Sequence, residues 1–190
     1  MDKELERRHK VIGFNEQIIN ELKDITTPLE CLGADSFAYL RIMDNGNILR
    51  IGTNLNYNKY VIEKDVMNTY QFIPDKLLQN ERLILPASPT ETITDALKSS
   101  NITSVLGSVA YNEGYIEGWA VYSSRNDKDM TTCFISNLSL IERYIAFFNF
   151  SLGKDIIKTM QDEKIYIETE LDLTRLRLKR KARPPKGLSF

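Results

Sequence analysis

One histidine, two cysteines and one tryptophan occur among 190 residues, and each scarcity removes a class of chemistry. His9 lies in a charged stretch beside Arg7, Arg8 and Lys10, which reads as a solvated surface imidazole. With no second histidine and no clustered cysteines, a zinc site lacks its usual nitrogen and sulfur ligands. Cys31 and Cys133 stand far from any CxxC spacing, and no apolar signal region follows the charged start MDKELERRHK. Both thiols are therefore expected free, in a reducing, cytoplasmic compartment. No apolar run approaches the roughly 18 residues that would suggest a membrane span. A Gly-rich phosphate loop, a GxSxG elbow and an HExxH helix are all missing. Carboxylate pairs such as Asp162 and Glu163 fall in polar stretches and read as solvated helix residues. The expectation is a protein with no enzyme activity, no catalytic residue, no metal and no cofactor.

What is present is globular in balance, with 42% apolar and 27% charged residues. The formal charge of −1 hides an asymmetry. Seven basic side chains and no acid fall within residues 175–190, which leaves the body with 18 basic against 26 acidic residues, a balance of −8. A body that acidic repels phosphate, so any nucleic-acid attraction would be weak and confined to the tail. The reading is one sensor or interaction domain over residues 1–170 and a basic linker or tail over 171–190, broken by Pro184-Pro185.

Periodicity then orders the elements. Phe14, Ile18, Leu22 and Ile25 form one stripe of an amphipathic helix over about residues 3–24. Thr27-Pro28-Leu29-Glu30 reads as a capping box opening a short second helix that Gly33 closes. From Ser36 the period changes to two, with Phe37, Tyr39 and Arg41 on one side and Ala38, Leu40 and Ile42 on the other. The Asp44-Asn45-Gly46-Asn47 turn makes this a hairpin with residues 48–51. A short helix is expected over 57–68, an irregular stretch over 71–79, a strand over 82–85, and a helix through Leu97 capped at Ser88-Pro89-Thr90-Glu91. Residues 104–111 and 115–123 form a second hairpin around Asn112-Glu113-Gly114, in which Gly107 and Gly118 mark a bulge or a close approach. Last comes the longest helical pattern, with Phe134, Leu138, Ile141, Ile145, Phe148, Leu152 and Ile156 in one seam and Leu140, Tyr144 and Phe147 on a second apolar face. This order predicts an α+β fold, an α/β/α sandwich whose five-stranded antiparallel sheet is flanked by helices as in PAS- and GAF-like sensor domains.

Within that frame, Tyr39, Arg41, Tyr57, Tyr60, Asp65, Tyr111, Tyr115 and Trp119 are candidates to line a cavity between sheet and helices, where aromatic walls and a few polar groups suit a small amphipathic ligand. The same residues also serve as ordinary core and rim. Leu140, Tyr144 and Phe147 are candidates for a dimer interface.

The run Cys31-Leu32-Gly33-Ala34-Asp35-Ser36-Phe37-Ala38-Tyr39-Leu40-Arg41-Ile42, followed by the Asp44-Asn45-Gly46 turn, resembles the sensor half of LuxR-type transcription regulators, a likeness spread over about residues 15–160. The resemblance implies an N-terminal α/β/α domain that binds a small signal and forms a homodimer, followed by a linker and a DNA-binding helix-turn-helix domain. This sequence ends at Phe190, where the DNA reader would begin, so a sensor lacking that domain is expected, either as a fragment or as a natural protein. Acyl-homoserine lactone members carry a Trp, Tyr and Asp-Pro constellation after the first hairpin. Here Tyr57, Tyr60 and Asp65 stand in that region, the Trp is missing, and Val66 follows Asp65. Two functions compete: a signal-sensing, dimerising regulatory domain that changes dimer geometry when ligand binds, and a ligand-free protein–protein interaction scaffold that dimerises through its long C-terminal helix.

Overall fold

The computed structural model describes residues 3–66, 73, 76–77, 82–85, 91–112, 114–125, 130–171, 173–174 and 178. Both hairpins form where the period-two patterns lie. Strands β1 (Ser36–Met43) and β2 (Ile48–Gly52) pair antiparallel, with Tyr39 opposite Ile51. Gly46 adopts φ +83° in the connecting turn, where Asn45 Oδ1 accepts the Asn47 amide at 3.1 Å. Strands β4 (Ser104–Asn112) and β5 (Tyr115–Ser123) make the second antiparallel pair, and β3 (Arg82–Leu85) joins β4. The sheet order is β2-β1-β5-β4-β3, antiparallel throughout, so the chain is the α+β fold with five antiparallel strands that the pattern predicts.

Register assigns the two faces. Phe37, Tyr39 and Arg41 stand opposite Val121, Trp119 and Glu117, whereas Ala38, Leu40 and Ile42 stand opposite Ala120, Gly118 and Ile116. Gly118 interrupts nothing: it pairs in register with both Leu40 and Val109, so it marks no bulge. It is required because a Cβ there would fall 2.7 Å from Val109 Cγ1 and 3.2 Å from Leu40 Cγ. The close approach comes from neighbouring strands' side chains. Gly107 likewise sits in register, opposite Ala120 and Leu85.

The N-terminal stripe divides in two, as α1 (Lys3–Gln17) and α2 (Ile19–Thr26), with Ile18 off helical geometry at φ −94°, ψ 4°. The inward face is Val11, Asn15 and Leu22, while Phe14, Ile18 and Ile25 are only partly buried. Leu22 belongs to the expected stripe, and apolar counting left out Asn15 because it is polar. Thr27–Leu32 is a 3-10 helix, and Thr27 Oγ1 donates back to the Lys23 carbonyl at 2.9 Å, so the expected capping box does not form. Gly33 closes the turn at φ +85°. Helix α3 (Leu55–Glu63) is N-capped by Asn54 and ends earlier than the pattern over 57–68 suggests. The expected irregular stretch around Pro74, the Ser88-Pro89-Thr90 cap before α4 (Glu91–Ser99), Glu113 and most of the basic tail lie outside the described residues.

The long apolar seam is buried at Phe134, Ile141, Ile145, Phe148 and Ile156, but it is not one helix. It runs as α5 (Met130–Ser136), α6 (Leu138–Phe148), a π turn over Asn149–Gly153 and α7 (Lys154–Asp162). A strict four-three repeat drifts by about 20° per heptad around a straight α-helix. The break at Asn137 and the widened π turn reset that drift and keep the seam on the sheet. After α7, Lys164 turns the chain at φ +55°, and residues 165–171 run back past the β2 edge. Ile167 exchanges both backbone hydrogen bonds with Ile48 of β2, at 2.8 and 3.0 Å. Ile165, Ile167, Leu171 and Leu173 are buried, so the core reaches Leu173 and the β2 edge is covered. Gly46 makes room for this strap, since a Cβ on it would lie 2.9 Å from the Leu171 carbonyl.

Candidate functional site

The sheet separates the sequence-predicted ligand residues into two groups, because neighbours in a strand point to opposite faces. Tyr57, on α3, packs against Tyr122 at 5.2 Å between ring centroids and beneath the Arg50 guanidinium at 5.5 Å, so α3 covers the face that bears Arg50 and Tyr122. Tyr111 shares that face through its pairing with Ile116. Tyr60 is half-buried on the same helix. Asp65 follows it in left-handed conformation, φ 54°, and pairs with Arg8 at 3.1 Å. Tyr39, Arg41 and Trp119 point to the other face, under α6, as does Tyr115. The eight therefore cannot line one cavity.

On the α3 face the polar groups form a buried chain. Arg50 Nε donates to Asn58 Oδ1 at 3.1 Å, and Asn58 Nδ2 donates to Asn15 Oδ1 at 3.3 Å. Asn15 also bonds both the amide and the carbonyl of Gly52. Arg50 is 2% exposed, an uncommon burial for a guanidinium. None of Arg50, Asn58, Asn15 or Tyr122 was singled out by sequence. Arg50 carried a signal, since it occupies the middle of the otherwise apolar strand Ile48-Leu49-Arg50-Ile51. The two asparagines carried none, because a helical Asn ordinarily faces water.

On the α6 face the hub is Glu117. It accepts hydrogen bonds from Tyr39 Oη, from Asn112 Nδ2 at 3.2 Å and from Asn149 Nδ2 at 3.3 Å, and it pairs with Arg41 at 3.6 Å. Arg41 Nε donates to Tyr39 Oη at 2.9 Å and its guanidinium lies 4.4 Å from the Tyr115 ring centroid. Burial, and then the adjacent Glu117 carboxylate, hold the Tyr39 phenol well above the usual tyrosine range. A raised folded-state value means that the neutral phenol contributes stability which is complete below the unfolded value, about pH 10, and is lost as pH rises above it. Tyr39→Phe should therefore flatten the loss of stability between pH 9 and 11, read as urea midpoints against the parent. An unchanged slope would mean that Tyr39 ionises as freely in the fold as out of it.

The three residues predicted for dimerisation lie on the outer side of α6. Leu140 and Phe147 are about half exposed, and Tyr144 is partly buried with its ring 6.0 Å from Phe147. Ile135 before them and Phe150 after them are also exposed, the latter at 88%.

The chain is similar in fold to SdiA. This Escherichia coli protein, a LuxR-type regulator, superposes with a TM-score of 0.52 over 80% of this chain and 69% of its own, at 11% sequence identity. The likeness is one of fold. No family model and no curated protein sequence matches it.

Three clefts open among the described residues. One is bounded by the two hairpin turns, Gln161 and Tyr166, another by α1 and Glu63, and a third by Thr26, Asp35 and Thr53. None of these three touches Trp119, which is 8% exposed between Tyr39 and Ser108. Cys31 and Cys133 are both unbridged. Among the described residues no helix is long and apolar enough to cross a membrane, and no cluster of His, Cys, Asp or Glu is placed to hold a metal ion.

Proposed function

We propose that the chain is the small-molecule-sensing, dimerising regulatory domain of a LuxR-type transcription regulator, working in the cytoplasm. The observation that carries this reading is the architecture shared with SdiA across four-fifths of the chain. The α3 face supports it further. There Tyr57 and Tyr111 accompany Arg50, Asn58 and Tyr122, with Tyr60 on the same helix and Asp65 just past its end, a set of aromatic rings, an amide and a guanidinium of the kind that orients an amphipathic molecule. Tyr39, Arg41 and Trp119 join the α6 face and would transmit the packing of that helix. A ligand that prefers one arrangement of α3 on the sheet shifts the population toward it, and the α6 surface carries the change to a partner subunit.

A second reading is favoured by the exposed Leu140, Phe147 and Phe150: a ligand-free scaffold that dimerises through α6. One experiment separates the two. The purified chain, and a Leu140→Glu/Phe147→Glu variant, are screened by thermal shift against fractionated cell extract, while sedimentation velocity reads the oligomer. Sensing predicts a stabilising fraction for the parent. Both readings predict a dimer that the double variant weakens by roughly 30-fold or more, the equivalent of about 2 kcal/mol for a central apolar anchor. A dimer with no stabilising fraction leaves the scaffold; a parent monomer removes α6 as an interface.

A further inference from the structure

Helix α1 presents two faces, and each contacts a different element. Arg8 and Asn15, seven residues apart, share the face toward α3. Arg8 Nη1 donates to the carbonyl of Ile62 at 2.7 Å and to that of Glu63 at 3.3 Å, at the C-terminal end of α3 where a cation is electrostatically welcome, and Arg8 pairs with Asp65. Asn15 joins Asn58 of α3 to Gly52 of β2. Arg7 and Lys10, three residues apart, share the face toward the C-terminal strap. Arg7 pairs with Glu168 and lies 5.7 Å from the Tyr166 ring centroid, and Lys10 donates to the Glu163 carbonyl.

Strand β2 repeats the arrangement. Ile48 bonds Ile167 of the strap, Arg50 bonds Asn58 of α3, and Thr169 Oγ1 donates to the Gly46 carbonyl at 2.6 Å just before the strand. Both α1 and β2 therefore touch α3 on one side and residues 163–169 on the other. A shift of α3 cannot leave both unmoved.

We infer that the docking of a C-terminal strap, residues 165–171 with Leu173, on the β2 edge is energetically coupled, through α1 and β2, to the packing of α3 on the sheet. The strap is held on its outer side by an ion pair and a cation–π contact at partly exposed residues, which are weak individually. Its apolar residues Ile165, Ile167, Leu171 and Leu173 supply the rest. Anything attached beyond residue 174 is thereby tied to the state of α3. The coupling is a property of the chain alone and does not rest on the sensing reading; its failure would leave the thermal-shift result untouched.

Coupling is reciprocal, which gives the test its force. Amide hydrogen exchange is followed by NMR at Ile48 and Ile167 for the strap, at Lys64 and Asp65 for the end of α3, and at Val109 and Trp119 as an interior control. Arg8→Ala, which acts on the α3 side, is expected to raise exchange at Ile167 by about tenfold, within the usual 5- to 150-fold range of coupled sites. Glu168→Gln, which acts on the strap, is expected to raise exchange at Lys64 by at least about fivefold. If Arg8→Ala also speeds the control amides, Asp65→Asn, a milder change to the partner of Arg8 just past the end of α3, takes its place. Acceleration confined to the side that was altered, in both directions, overturns the inference.

Discussion

Asn15→Ala is expected to destabilise the protein by about 3 kcal/mol, the sum of leaving two or three buried polar groups without their partner at roughly 1–3 kcal/mol each, partly relieved by local relaxation. The Asn15 amide accepts from the Gly52 N–H at 2.7 Å and donates to the Gly52 carbonyl at 2.9 Å. It therefore plays the part of a neighbouring strand for the last residue of the β2 edge, and it is 2% exposed. Truncation also deprives Asn58 of an acceptor, so the loss reaches α3 and Arg50. Urea unfolding at pH 7 measures it. A change below about 0.5 kcal/mol, the usual size for a surface substitution, would show that water replaces the side chain without loss.

Phe148→Ala should cost more, about 3–5 kcal/mol, because a fully buried aromatic leaves a cavity that the surroundings only partly close. Its ring meets Phe37 edge-to-face at 5.1 Å, 67° between planes, and Tyr39 in a tilted contact at 5.5 Å, so two aromatic contacts are lost with the buried area. Close contact also explains Gly153 in the π turn, where a Cβ would lie 2.8 Å from the Phe148 ring. For a chain of this length the melting temperature should fall by about 10 °C. Phe148→Leu should recover part of that loss by restoring volume. Equal melting temperatures for the alanine and leucine variants would mean that the ring is not the element joining α6 to the sheet.

The two predictions mark where sequence reading works and where it stops. Phe148 was legible: it sits on the four-three seam, and a seam of that length has to be buried somewhere. Asn15 was not, because its value comes from Gly52, 37 residues away. Glu117 shows the same limit. Its place in a strand was legible from the alternation, but not that Tyr39, Arg41, Asn112 and Asn149 would converge on it. Tyr57, Tyr111, Tyr39 and Trp119 looked like one aromatic lining because composition counts side chains without assigning faces. Their parity relative to one another depends on register across strands, which local pattern leaves open.

The sequence by itself determined the two hairpins, the antiparallel α+β class and the buried seam, since each follows from side-chain period, turn residues and apolar burial, all of which act over a few residues. Only the tertiary structure decided that α1 braces both α3 and the C-terminal strap, that the expected ligand residues divide between two faces, and that Leu140 and Phe147 remain on the outside of α6. Those outcomes depend on groups distant in the chain meeting at hydrogen-bond range, and such meetings are set by the packing of whole elements, where a buried polar side chain is stable only beside the partner that satisfies it.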